Sequence, residues 1–302
     1  MRSPFLEQSV LMLRVMPHVA AEECFALKGG TAINFFVRDM PRLSVDIDLT
    51  YLPIEPREVS LTKIGNALDR IKSKIIETVS GTTVQEGRYE NRTSKLFVRG
   101  TDGEIKIEPN FVLRGSVHPP IERDLCPAAQ ARFEVAVRIR VLSDADLYGG
   151  KLCAALDRQH PRDLFDVKVL LEDEGITPEI RKSFLVYLIS HDRPMHEVID
   201  PTRKDQKAVF DADFQGMSAE IVEYQELLDA RESLIEQLHA GLTADEKNFL
   251  VSVKEGKPVW PLLGLDGVEK MPAVRWKLQN IAKMDERKHK EQLDNLKQKL
   301  GL

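Results

Sequence analysis

The chain has 302 residues, of which 42% are hydrophobic and 30% charged, an ordinary globular balance with enough length to bury the core of one or two domains. Its formal net charge of -5 excludes the overall basicity of a dedicated nucleic-acid binder, though a local basic face stays compatible with it. The three cysteines, Cys24, Cys126 and Cys153, show no paired spacing. That argues against a disulfide framework or a CxxC zinc site and for a reducing compartment. "MRSPFLEQSV" has no leader pattern and nowhere do eighteen apolar residues run together, so a cytoplasmic protein with no membrane span is expected.

Residues 6–21 are predicted to form a helix with Leu6, Val10, Leu13, Val15 and Met16 on its apolar face. "CFAL" reads as a short strand running into Gly29 and Gly30, and 31–38 as the helix behind them, ended by Pro41. "LSVDIDLTYL" alternates as a strand and 62–77 as an amphipathic helix. Residues 83–113 turn to strands, with "SKLFVRG" and "GEIKIEPNFVL" joined through a "TDG" hairpin turn. Beyond "RVLSDADLYGGKL" the pattern is helical, interrupted at Pro161, Pro178, Pro194 and Pro201. Residues 221–240 read as one long helix with Ile221, Tyr224, Leu228, Ile235 and Leu238 inward, and "SVKEGKPVWPLLGLDG" is irregular. The tail from Trp276 carries seven Lys/Arg against four Asp/Glu, a polar helix that suits solvent, a phosphate backbone or a protein partner. The predicted architecture is a mixed α+β domain over residues 1–140 followed by a helical C-terminal domain over residues 141–302.

Two acids stand where a strand favours apolar residues. Alternation places Ser44, Asp46 and Asp48 on one face of "LSVDIDL" and Val45, Ile47 and Leu49 on the other. Carboxylates at i and i+2 lie roughly 7 Å apart at their backbones and can converge on one divalent cation or two. On the later strand Lys106 and Glu108 share a face opposite Ile105 and Ile107, so Glu108 becomes a third acidic ligand if the strands are neighbours. Hard oxygen donors of this kind suit Mg²⁺ completed by water and substrate phosphates. A polar strand face turned to water is the ordinary fate of such a pattern. The glycine pair upstream makes it a candidate site, because Gly29 and Gly30 admit a ligand close to the backbone and the helix from Thr31 offers N–H groups to a phosphate.

"GGKLCAALDRQHPRDLFDVKVLL" is the second constellation. It is not a P-loop, since Ala145 stands where the first glycine belongs and Leu152 follows the lysine. On a helix, Lys151, Ala155 and Arg158 share a side, and Pro161 opens a new helix. Asp163 there needs no purpose beyond the helix dipole. Asp166 lies between Phe165 and Val167 in a half-apolar helix, so it requires a partner such as Lys151 or Arg158. His160 is either a base or a polar loop residue, and His191 and His196 have a poor metal spacing.

The combination "FALKGGTAINFF", "RLSVDIDLTYL", "KIEPNF", "GGKLCAALDRQHPRDLFDVKVLL" and "WKLQNIAKM" resembles the AbiEii/AbiGii family, nucleotidyltransferase toxins of type IV toxin–antitoxin and abortive-infection systems. The resemblance implies a polymerase-β-like nucleotidyltransferase fold with a helical C-terminal domain. It implies nucleotide and metal roles for Gly30, Thr31, Ser44, Asp46 and Asp48, and roles for Lys151 and Asp166 in the same site, with Arg158 beside them. Glu108 matches the position of a third acid, as a metal ligand or as the base. The implied chemistry is transfer of a nucleoside monophosphate from an NTP, with Mg²⁺, to an acceptor hydroxyl, the favoured acceptor being the tRNA 3' end and the implied protein partner a cognate antitoxin. Nucleotidylation of a protein or small molecule, a catalytically silent binding module and a metal-dependent nuclease are the alternatives.

Overall fold

The computed structural model describes residues 4–101 and 103–302. The chain forms two compact units, Met1–Ser143 with Gln215–Ile221, and Asp144–Phe214 with Val222–Leu302. Residues 215–221, which a boundary near 140 leaves in the helical half, therefore belong to the first unit.

In the first unit α1 (Pro4–Ala20) is followed by β1 (Phe25–Lys28), α2 (Gly29–Ala32), β2 (Asp46–Tyr51), α3 (Arg57–Thr78), β3 (Thr83–Tyr89), β4 (Arg92–Arg99), β5 (Glu104–Asn110), β6 (Ile121–Asp124), α4 (Pro127–Phe133) and β7 (Arg138–Val141). The strands form a mixed sheet in the order β3-β4-β5-β2-β1-β7-β6. β2 runs parallel to β5 and antiparallel to β1. On one face Ile47, Leu49, Leu96, Val98, Ile105 and Ile107 are fully buried, and α1 and α3 pack against the sheet. Burying each such side chain contributes about 1.5–3 kcal/mol, so this face anchors the sheet while the residues between them form a half-exposed polar face.

Several elements depart from the sequence pattern for identifiable reasons. The buried apolar residues of α1 are Leu11, Met12, Leu13, Val15, Met16 and Val19, whereas Val10 is exposed. The helix after β1 starts at Gly29 and widens at Ile33–Val37 into a π turn closed by Arg38 N–H to Ile33 O. The strand predicted from Leu43 begins only at Asp46, because Leu43 N–H donates to Met217 O and Ala219 N–H to Pro41 O. The chain before β2 thus pairs with 215–221 and not with the sheet. β6, β7 and α4 carry too little apolar periodicity to read locally; the two strands are held by pairing with each other and with β1. Asp102 of the "TDG" turn lies outside the described residues.

The second unit comprises α5 (Asp144–Arg158), α6 (Pro161–Glu172), α7 (Pro178–Ser190), α8 (Met195–Ile199), α9 (Lys207–Asp213), α10 (Tyr224–Gly241), α11 (Ala244–Lys254), α12 (Pro272–Ala282) and α13 (Glu286–Leu300). Pro161, Pro178 and Pro272 occupy first helical positions, where a missing N–H costs nothing. The helix predicted at 221–240 starts at Tyr224, set by a capping box between Glu223 and Glu226. Ile221 lies ahead of it, almost fully exposed, and the buried stripe is Leu227, Ala230, Leu234, Ile235 and Leu238. The tail is two helices, because Asp285 accepts from Arg287 N–H and Lys288 N–H and restarts the chain as α13. In α12 the Lys277 ammonium turns inward and donates to His191 O and Arg193 O, both at 2.6 Å, just past the end of α7; burial pulls its pKa down to about 8.

Gly149 explains "GGK" without a phosphate. A β-carbon there would lie 2.7 Å from Phe184 N and from Ser183 Cβ, so the glycine lets α5 and α7 touch along their backbones. At Gly150 the nearest atom would be 3.6 Å away. Gly149→Ala should therefore lower stability by about 1–3 kcal/mol in urea unfolding. Gly150→Ala should be neutral or stabilising by up to about 1 kcal/mol.

Candidate active site

The polar face of the first unit's sheet carries a row of charged side chains in register, two acids flanked by lysines. Lys28 of β1 stands opposite Asp48 of β2, and Asp48 opposite Glu108 of β5. One step along, Asp46 faces Lys106. Beyond β5, Lys95 of β4 reaches Glu108 Oε1 at 3.2 Å while Lys106 holds Glu108 Oε2 at 2.8 Å. Burial opposes the charge on Glu108, but the two ammonium groups prevail and keep its pKa below the ordinary carboxylate value. Burial likewise opposes the charge on Lys106, and Glu108, Asp46 and Asp48 outweigh it to raise its pKa.

β1 ends by turning directly into α2, and the turn is built around Asp48. Gly29 has φ +71°, a conformation that a β-carbon disfavours. A β-carbon there would also sit 2.7 Å from Asp48 Oδ2. The N-cap residue Lys28 makes no side-chain cap to the helix that starts at this point, so its own side chain does not satisfy the helix's first N–H groups. A β-carbon on Gly30 would collide with the guanidinium of Arg42. Arg42 is 2% exposed and its Nη1 donates to Leu43 O at 2.9 Å, so a buried cation underlies the glycine turn.

Ser44 does not share a strand face with Asp46 and Asp48, because β2 has not begun there. It is buried, and its hydroxyl lies 2.8 Å from Thr31 Oγ1, which also bonds the Asp46 carbonyl. With one proton, Thr31 donates to the carbonyl and accepts from Ser44. The two hydroxyls thus fasten the start of β2 to the glycine helix, leaving backbone N–H groups as the donors available to a phosphate. The adjacency of β2 and β5 brings Glu108 beside Asp48, but both its oxygens are taken by lysines. Among the described residues no three His, Cys, Asp or Glu side chains converge in metal-binding fashion. The donors that fit a hard divalent cation are Asp46 and Asp48, whose approach the bare Gly29 admits.

The second unit holds the other predicted residues. Lys151 on α5 lies 2.7 Å from Asp163 Oδ1 and 2.9 Å from Asp166 Oδ2, both on α6, and Arg158 Nε meets Asp163 Oδ2 at 2.5 Å. Lys151, Asp163 and Asp166 are all buried, whereas the Arg158 side chain is mostly exposed. Asp166 thus has the partner its apolar setting demanded. Asp163, readable as a mere dipole acid, is instead the centre of the cluster: burial would raise its pKa, yet Lys151 and Arg158 hold it well below the usual value. His160 is an N-cap, its Nδ1 accepting from Arg162 N–H. Sequence reasoning missed Arg42 and Asp163, although both lie inside quoted motifs, "RLSVDID" and "HPRDLFD".

Residues 10–280 match the model of the AbiEii nucleotidyl transferase toxins of type IV toxin–antitoxin systems. The chain belongs to that family. The AbiEii-family chain is similar in fold to the nucleotidyltransferase toxin MenT4 of Mycobacterium tuberculosis H37Rv, with TM-score 0.61 and 16% identity over 97% of this chain and 93% of that one. Terminal uridylyl transferase 4 of Trypanosoma brucei, with bound dUTP, aligns over 97% of this chain and 100% of its own at 12% identity and TM-score 0.29, a value that does not establish a common fold. No curated protein sequence matches. Among the described residues no helix is long and apolar enough to cross a membrane.

Two outcomes follow for the AbiEii-family ion cluster. Lys151→Met removes the buried cation that Asp163 and Asp166 share and should cost about 3–5 kcal/mol by chemical denaturation. Because the folded-state pKa of Asp163 is depressed, its contribution is complete above the unfolded value of 3.8 and is lost as pH falls through the lower folded value. Asp163→Asn should therefore flatten the decline of stability with pH below about pH 4.

Proposed function

We propose that this AbiEii-family toxin is a Mg²⁺-dependent enzyme that transfers a nucleoside monophosphate from an NTP to an acceptor hydroxyl, with the tRNA 3' end as the favoured acceptor. The observation that carries the reading is the packing of Asp48 against Gly29: a left-handed glycine opens an uncapped helix 2.7 Å, by its would-be β-carbon, from a strand carboxylate. That arrangement supports the reading, because helix N–H groups suit a phosphate and carboxylate oxygens suit a divalent cation.

The transfer forms a bond between the acceptor oxygen and the α-phosphorus and breaks the α–β phosphoanhydride, releasing pyrophosphate, while the acceptor's proton leaves to solvent or a base. Asp46 and Asp48 would hold the divalent ion, which when bound neutralises phosphate charge as it develops. The N–H groups of Gly29, Gly30 and Thr31 orient the β- and γ-phosphates, and buried Arg42 adds positive potential beneath them. Glu108, with its pKa held down by Lys106 and Lys95, is a poor proton acceptor near neutrality. Its part is to hold the two lysines on the sheet face. The resemblance implies roles for Lys151 and Asp166 as well, and the family assignment makes an antitoxin the natural protein partner.

Incubating the purified protein with each α-labelled NTP, Mg²⁺ and total RNA, then sizing the products, should label RNA of tRNA length. EDTA should abolish the label and Asp46→Asn reduce it by at least about 100-fold. Label in protein instead would replace the acceptor, and label in neither, or full activity of Asp46→Asn, would sink the reading.

A further inference from the structure

The same sheet face extends from Asp48 to residues that the transfer chemistry above does not use. A cleft of about 340 Å³ is lined by Lys28, Asp48, Tyr89, Lys95, Glu108 and Phe111, among others. It begins at Asp48 and ends at two aromatic rings. Tyr89, the last residue of β3, is 46% exposed, high for so large an apolar surface. Its ring meets Phe111 edge-on with centroids 5.9 Å apart, and the Arg57 guanidinium lies 5.7 Å from its centroid.

The surrounding backbone holds these rings in place. Asn110 Oδ1 accepts from Val112 N–H and Leu113 N–H, which turns the chain immediately after β5 and fixes the Phe111 position. Glu90 and Asn91, both left-handed, close the β3–β4 hairpin and pair Tyr89 with Arg92. The cleft is therefore a pair of preset aromatic rings beside lysines, a combination suited to an unpaired nucleobase and its phosphate.

Its side of the site indicates which nucleotide it serves. The glycine turn lies on the β1 side of Asp48, whereas β5, β4 and the aromatic rings lie on the opposite side. In-line displacement requires the attacking hydroxyl to stand opposite the departing pyrophosphate. With the phosphates at Gly29 and Gly30, the attacking group approaches from the β5 side. We propose that this cleft receives the terminal nucleoside of a single-stranded RNA acceptor, its base stacked on Tyr89 and Phe111 and its backbone drawn by Lys95 and Arg57. The proposal rests on the placement of the triphosphate given above.

An eight-nucleotide RNA ending in CCA, with 2-aminopurine replacing its terminal adenine, provides the probe. Its fluorescence should be quenched on binding the wild-type protein. Tyr89→Leu with Phe111→Leu should abolish the quench and weaken acceptor use, read as kcat/KM for the RNA, by about 5- to 100-fold. Tyr89→Phe should restore most of both. Titration with a non-hydrolysable NTP and Mg²⁺ should give the same Kd in all three proteins, with circular dichroism unchanged. An unchanged quench and kcat/KM in the double variant overturns the proposal, as does a loss of NTP affinity in parallel with the quench, which would put the NTP's own base in the cleft. Retained NTP–Mg²⁺ binding in Asp46→Asn with Asp48→Asn would instead overturn the placement of the triphosphate, an outcome separate from either.

Discussion

The contact between Asp48 and Gly29 is the constraint on which the first unit's site depends. A carboxylate can occupy the place of a β-carbon only if the residue opposite has none, and only glycine adopts the φ of +71° there at little cost. The close approach ties the end of β1, the first turn of the helix and the acidic strand into one piece. Arg42 beneath Gly30 and the Thr31–Ser44 pair then lock the turn from behind. Movement of any of these parts would displace the Asp48 oxygens or the glycine turn, so the turn and the acidic strand are set together by their packing.

Charge is managed differently in the two units. On the half-exposed sheet face, Lys95 and Lys106 hold the charge of Glu108, which stands beside Asp48, without full burial. In the second unit Lys151, Asp163 and Asp166 are withdrawn from water, where loss of a partner is costly because the remaining charges stay buried. A buried triad of that kind adds little net stability, and its value lies in fixing α5 and α6 in one register.

Much of this was legible in the residues. Period-two alternation identified the Asp46–Asp48 face because one side of the strand had to be apolar to anchor the sheet, and Asp166 announced its need for a cation by its apolar neighbours. Other residues left no local trace. Asp163 has the appearance of any acid in a first helical turn, and Arg42 of any surface arginine near a proline; only their burial reveals them. Ser44 seemed part of the strand because alternation continues through it, yet 215–221 claims that stretch by hydrogen bonds from more than 170 residues away. Ile221 was misplaced for the related reason that a helix start depends on the Glu223–Glu226 cap as well as on apolar spacing.

The sequence by itself determined most element types, the two glycines and the acidic pair, since each follows from periodicity or from a residue whose covalent structure has no substitute, and its motifs carried the resemblance to the family. Tertiary structure decided what those groups face. The register of β2 against β5 brought Glu108 beside Asp48 and gave its oxygens to two lysines. The β3–β4 hairpin and the Asn110 turn carried Tyr89 and Phe111 to the far end of the same cleft. Strand order and register are set by which faces can be buried together across the whole chain, and that sum cannot be read from any one segment.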